Sequence, residues 1–174
     1  MSNIVITSAK RSPIGKFMGG LSSLSAPQLG KLCIKAVIED SKIPKDIVDE
    51  IIMGQVLTGG SGQNPARQSS ILAGIPEEKS ALTINQVCGS GLRAISIGAQ
   101  SIMSGQSEIV IAGGQESMSN AHHTSNLRNG LKMGDGELKD SMIVDGLWCA
   151  MNNYHMGTTA VSYTHLTLPT KQDV

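Results

Sequence analysis

The segment from Ala81 to Gly114 restricts this chain to a narrow set of folds. It runs from an apolar β-favouring stretch, Ala81-Leu82-Thr83-Ile84, through the turn Asn85-Gln86-Val87-Cys88-Gly89-Ser90-Gly91 into a helical pattern. That pattern places Leu92, Ile95, Ala99, Ile102 and Met103 near one helical face and is followed by Ile109-Val110-Ile111. Strand, helix and strand in this order and length predict a βαβ unit, in which a right-handed crossover helix joins two parallel strands. Parallel strands need helices on their faces, so an α/β layer architecture with a largely parallel sheet follows.

The flanking sequence adds elements of the same kind. Ile4 to Thr7 is predicted to open the chain as a strand, and the polar stretch from Lys10 to Ser23 reads as a long loop. Ser25 and Gln28 have capping-box spacing around Pro27, which predicts a helix to Ser41, before Pro44. On it Cys33 shares a stripe with Leu29, Leu32, Ala36 and Val37 and is expected in the core. A short helical piece at Lys45 to Asp49 leads into Ile51 to Leu57, a buried strand by its apolar content. Asn64-Pro65 then supplies an N-cap and a first-turn proline, and Gly74 a stop, predicting a helix over 65–73. From Gln115 to Asn153 no period is sustained, and irregular segments of this length are usually functional or mobile.

At 174 residues the chain can bury a substantial single core, roughly 70% of its unfolded surface. Lys plus Arg equals Asp plus Glu at 14 each and aromatics are 2%, which removes the electrostatic and stacking case for nucleic acid or an anionic membrane surface. No apolar run has the ~18 residues of a membrane span, so no membrane role and a cytoplasmic location are expected. Cys33, Cys88 and Cys149 form no C-x-x-C pair, which suits a reducing compartment; Cys149 carries no readable role.

Cys88 is the residue to which chemistry points. It stands at a helix entrance, where amides without intrahelical partners favour a thiolate or a developing oxyanion, and the glycines around it admit close approach of another molecule. A helix terminus contributes only ~0.3–1 kcal/mol to such a thiolate. A nucleophilic cysteine therefore needs a neighbouring base, usually a histidine that can lie far away in sequence. A free buried cysteine beside packing glycines accounts for the spacing equally well.

Four ordered segments decide between these readings: Asn64-Pro65-Ala66-Arg67-Gln68, Asn85 to Arg93, Gly113-Gly114-Gln115-Glu116-Ser117-Met118-Ser119 and His155-Met156-Gly157-Thr158-Thr159-Ala160. With Arg11-Ser12-Pro13-Ile14-Gly15 they resemble the thiolases, and within that family the amino-terminal half of its acetoacetyl-CoA-forming members, from about Asn3 to Ala160. The resemblance implies a thiolase-like α/β fold whose amino-terminal half has a mixed, largely parallel sheet flanked by helices. It implies that Cys88 takes an acetyl group from acetyl-CoA, that the enolate of a second acetyl-CoA attacks the acyl-enzyme to give acetoacetyl-CoA, and that the Cys88 amide contributes to an oxyanion hole. His155 and Met156 match the family's stretch at the substrate pocket. No cofactor is implied beyond the CoA thioester substrates, and no metal: adjacent His122 and His123 lack ligand spacing and read as solvent-facing. Glu116 reads as a structural residue, holding the loop beneath the nucleophile's helix.

The domain organisation expected is an α/β core over 1–114, the start of a CoA-covering and tetramerisation loop domain over 115–160, and a divergent tail over 161–174. The tail reads by propensity as a strand ended by Pro169 and as foreign to the family, or else as an authentic edge strand. Family members are homotetramers of two-half subunits, and their carboxyl-terminal half supplies the activating histidine and a second cysteine. Neither motif follows here, so the chain reads as an inactive fragment. A longer-chain 3-ketoacyl-CoA thiolase and a non-catalytic thiolase-like binding or assembly module are the alternatives.

Overall fold

The computed structural model describes residues 4–171, and it divides into two compact units, Met1–Ala121 and His122–Val174. The first begins with helix α1 (Ala26–Ser41), which the Ser25–Gln28 capping box starts and left-handed Lys42 ends. Strand β1 (Glu50–Gly54) follows, then α2 (Pro65–Ala73), β2 (Ser80–Ile84), α3 (Ser90–Met103) and β3 (Val110–Gly114). The sheet order is β2-β1-β3 and both ladders are parallel, Ile52 pairing with Leu82 on one side and Ala112 on the other. The βαβ unit predicted over 81–114 therefore exists, but its two strands are not neighbours. The crossover through α3 passes over β1, which takes the central place because it is flanked by both partners and is buried from Ile51 to Gly54.

Side-chain alternation along β1 assigns the two faces of the sheet. Ile51 and Met53 join Ile34, Ile38, Val48, Ala66, Ala73 and Ile75 in the core beneath α1 and α2. Ile52 and Gly54 point to the other face, where a Cβ on Gly54 would meet Ser90 at the start of α3. Among the described residues both ladders of this sheet are parallel, as expected of the α/β fold.

Both stripes predicted for the helices turn differently from expectation. On α1 the buried residues are Ala26, Pro27, Gly30, Ile34 and Ile38, while Cys33 is half-buried and Leu32 exposed. On α3 they are Ser90, Ala94, Gly98 and Ser101. Leu92 and Met103 remain 77% and 72% exposed, so the large apolar face faces away from the sheet. Close approach decides both cases. A Cβ on Gly30 would collide with Gln115 Oε1, and one on Gly98 would stand 3.0 Å from Val110 Cγ1, so the faces with the smallest residues go inward.

The predicted strand Ile4–Thr7 does not form: Val5 and Ile6 are 71% and 78% exposed without a ladder partner. The chain is instead pinned just beyond it, where Lys10 Nζ pairs with Asp40 Oδ1 at 2.7 Å and Ser8 Oγ donates to Asp40 Oδ2 at 2.7 Å. Those two partners hold the Asp40 carboxyl below the usual carboxylate range.

The first unit runs to Ala121, because the residues after β3 are tied back to the loop before α1. Ser117 Oγ donates to Leu24 O, Asn120 Nδ2 to Ser22 O and Leu24 O, and Met18 N to Ser119 Oγ. The second unit has two short antiparallel ladders, β4 (His123–Thr124) with β5 (Lys139–Asp140) and β6 (Trp148–Cys149) with β7 (Tyr154–His155), and a π-helical turn over Met142–Leu147. It closes with α4 (Met156–Lys171). The strand predicted in the tail is therefore replaced by helix as far as Lys171; a helix satisfies its backbone locally, whereas a strand needs an edge to join. Residues 172–174 of that tail lie outside the described residues. No helix among those described is long and apolar enough to cross a membrane.

Candidate functional site

Because all three strands of the first unit are parallel, their carboxyl ends, Gly54, Ile84 and Gly114, share one edge of the sheet. Ligands of open parallel sheets bind at such an edge. Two glutamines close it from beneath. Gln55 N donates to Ile84 O and Gln115 N to Gly54 O, while Gln115 Nε2 donates to Gln55 Oε1 at 2.9 Å and Ser69 Oγ donates to Gln115 Oε1. Gln55 Nε2 continues the chain to Leu57 O and Ser61 Oγ. These buried amides are partnered, so they stiffen the edge and do not await a ligand.

Cys88 stands above this edge, exposed and in no disulfide. Its turn is built by its neighbours. Val87, a β-branched residue, lies at φ 48°, a left-handed conformation that needs support from outside the residue. Asn85 Oδ1 accepts from Val87 N at 2.9 Å, and buried Ser90 Oγ accepts from Gln86 N at 2.9 Å and donates to Val87 O at 2.6 Å. The helix that follows has Gly89 as N-cap with no side-chain cap; Ser90 N donates to Val87 O at 3.1 Å, and the amides of Gly91 and Leu92 are left for water or a ligand. Gly54, Gly91 and Gly114 let α3 start directly on the strand ends: a Cβ on Gly114 would stand 3.4 Å from Gly91 Cα. An open cleft of about 480 Å³ borders the turn, lined by Gln55, Thr58, Gly62, Asn64, Thr83 and Asn85 among others.

Glu116 lies below the turn and does not offer itself as an acid or base. Its Oε2 accepts from Val56 N at 2.8 Å, and both carboxylate oxygens lie 3.4 Å from Leu57 N. Burial pushes its carboxyl above the ordinary range, against the opposing pull of the Val56, Leu57 and Ser117 amides. This is the loop-holding role read from sequence.

His155 and Met156 belong to the second unit, at the end of β7 and the start of α4, and Cys88 to the first. His155 is exposed, and its Nδ1 accepts from Gly157 N at 2.9 Å, which makes Nε2 the protonated nitrogen of the neutral ring. Met156 is half-buried. In the same unit Cys149 is held below the ordinary thiol range by the Asn152 and Met151 amides, with Asn152 Nδ2 3.5 Å from its sulfur. His122 and His123 are exposed. Among the described residues no three His, Cys, Asp or Glu side chains are grouped to hold a metal ion.

Sequence reasoning singled out Cys88 but not the groups that shape its turn. Asn85 two residues before Val87 is an Asx-turn signal that could have been read locally. Ser90, which bonds Gln86 and Val87 within the same turn, is equally local; the glutamine pair becomes visible only when the strands are assembled.

Comparison with known proteins shows the family of the chain. The family described as "Thiolase, N-terminal domain" matches residues 4–170. An "Acetyl-CoA acetyltransferase" of Cupriavidus necator is 55% identical over 161 residues, covering 92% of this chain and 41% of that protein. One from Allochromatium vinosum is 55% identical over 159 residues, covering 91% and 40%. A "Probable acetyl-CoA acetyltransferase" of Escherichia coli is 53% identical over 161 residues, covering 92% and 41%. The chain thus spans about two fifths of the length of these curated relatives.

Proposed function

The chain belongs to the thiolase family, and from that premise we propose that Cys88 is the acyl-accepting nucleophile of an acetyl-CoA C-acetyltransferase. One observation carries the reading: an exposed cysteine on a left-handed turn, directly before the uncapped start of a helix that sits on the carboxyl ends of parallel strands. The names of the relatives favour acetyl-CoA over longer acyl thioesters as donor.

In this reading the Cys88 sulfur attacks the thioester carbonyl carbon of acetyl-CoA. A new carbon–sulfur bond forms, the bond to CoA breaks, and CoA leaves as the thiol with the proton lost from Cys88. The enolate of a second acetyl-CoA then attacks the acyl carbon, forming the carbon–carbon bond of acetoacetyl-CoA and expelling the Cys88 thiolate. Exchange of one thioester for another keeps the acyl group activated between steps. First-turn amides of α3 and the Cys88 amide serve the tetrahedral oxyanion; losing one such donor typically costs ~2.7–4 kcal/mol in the transition state.

The proton acceptor is not a histidine of the first unit, since all four histidines lie at position 122 or later. We assign it to the part of the relatives' length that this chain does not span, which leaves the isolated chain able to take an acetyl group slowly but not to turn over. His155 and Met156 then belong to the substrate pocket. The full protein is read as a cytoplasmic homotetramer acting on acetyl-CoA and acetoacetyl-CoA, with α3's outer face covered by the second half of the subunit.

Peptide mapping tests the assignment. After incubation with acetyl-CoA, a hydroxylamine-sensitive acetyl group is expected on the Cys88 peptide and to be lost in Cys88→Ser. Acetylation confined to Cys33 or Cys149 would sink it.

A further inference from the structure

The turn that presents Cys88 is linked to a carboxylate two strands away in the sheet. Glu116, just past β3, binds the amide of Val56, just past β1. The carbonyl of the same residue, Val56, accepts from Asn85 Nδ2 at 3.4 Å, just past β2. Asn85 Oδ1 in turn accepts from the amide of Val87, the residue in the left-handed conformation before Cys88. The carboxyl ends of all three strands are thus tied in series, Glu116 to Val56 to Asn85 to Val87.

We propose that Glu116 and Asn85 are positioning residues for Cys88, acting as the two ends of a hydrogen-bonded bridge that fixes Val87 and so sets where the nucleophile's sulfur stands. This rests on the reading of Cys88 as the acyl acceptor. The physical need is specific. A β-branched residue does not keep φ near +50° by its own preference, and the Asn85 side chain that supports it is itself exposed. Asn85 has one fixed point outside its own turn, the Val56 carbonyl, and Val56 is fixed on its amide side by the half-buried carboxylate. Loss or misplacement of the acceptor at 116 would free the Val56 peptide, then Asn85, then Val87.

Amide hydrogen exchange read by NMR on the full chain tests the bridge. Glu116→Ala is expected to speed exchange at Val56, Leu57 and Val87 by about tenfold or more, with Glu116→Gln, which keeps an acceptor oxygen, recovering most of the protection. Asn85→Ala breaks the other end: Val87 should exchange faster while Val56 and Leu57 stay protected. The amide of Ile75, bonded to Ser70 O, is the remote control. If Glu116→Ala does not fold, Asn85→Ala and Glu116→Gln carry the test. Val87 exchange unchanged in Asn85→Ala, or unchanged in Glu116→Ala while Val56 and Leu57 accelerate, would overturn the inference. Acetylation of the same samples separates the two readings. If both hold, acetyl transfer to Cys88 falls about fivefold or more in either alanine variant, beyond any change in its alkylation by iodoacetamide, a small free electrophile that can align itself with the sulfur. Absence of acetyl on Cys88 in the unaltered chain overturns the nucleophile reading itself, whatever Val87 does.

Discussion

Gly54 shows how a single atom at the sheet's edge reaches the nucleophile. A Cβ there would stand 2.5 Å from Ser90 Cβ and 2.6 Å from its carbonyl carbon, and backbone cannot swing aside as a side chain tip can. Gly54→Ala should therefore lose about 1–3 kcal/mol and displace the turn, whereas Gly59→Ala, with nothing within 4 Å, should not; urea melts of the two compare them directly. Asp49 acts through charge. The amides of Ile109 and then Glu108 bind its carboxylate and hold it below the usual range, so the folded state binds its proton less tightly than the unfolded chain. Its contribution is present above the unfolded value of ~3.9 and is lost as pH falls through the lower folded value. Asp49→Asn should lower Tm at neutral pH and flatten the decline in Tm across that acid window. Glu116 has the opposite sign: burial raises its folded value, so stability falls as pH rises from the unfolded to the folded value.

At the scale of elements, local signals and tertiary ones separate cleanly. Helix α2 was legible to the residue because Asn64, Pro65 and Gly74 specify its ends without help. Asn64 does more than cap: Thr83 Oγ1 donates to its Oδ1 at 2.6 Å, and its Nδ2 donates to Ala81 O at 2.9 Å, so Asn64→Ala should cost more than the ~1 kcal/mol of a cap alone in a denaturant titration. Which way a helix faces was not legible. Leu92, Ile95 and Met103 do share a face of α3, yet glycine and serine won the sheet because small residues permit the closer approach. The strand at Ile4–Thr7 failed for a related reason: β propensity names a willing segment, and only a free ladder edge makes it a strand. The outer face of α3 exposes Leu92, Ile95 and Met103, and apolar surface of this kind is expected to drive association. Leu92→Lys with Met103→Lys should convert an associating chain to a monodisperse one in size-exclusion light scattering, with Tm within a few degrees; an unaltered chain that is already a monodisperse monomer would contradict this.

For the molecule as a whole, the separation of cysteine from histidine matters most. The unit that carries Cys88 contains no histidine, and the chain spans about two fifths of relatives named for acetyl transfer. The candidate nucleophile and its family were legible from four short motifs, while the bridge from Glu116 to Val87 was not, since it joins residues brought together only by the order of the strands. The proposed function would uncouple acceptance of an acetyl group from turnover in this chain. Timed release of CoA thiol from acetyl-CoA by the 174-residue chain, with acetoacetyl-CoA followed in the same sample, tests it directly. The account predicts slow release that stops near one equivalent per chain, vanishes in Cys88→Ser and yields no acetoacetyl-CoA. Steady formation of acetoacetyl-CoA, or equal release by Cys88→Ser, would contradict it.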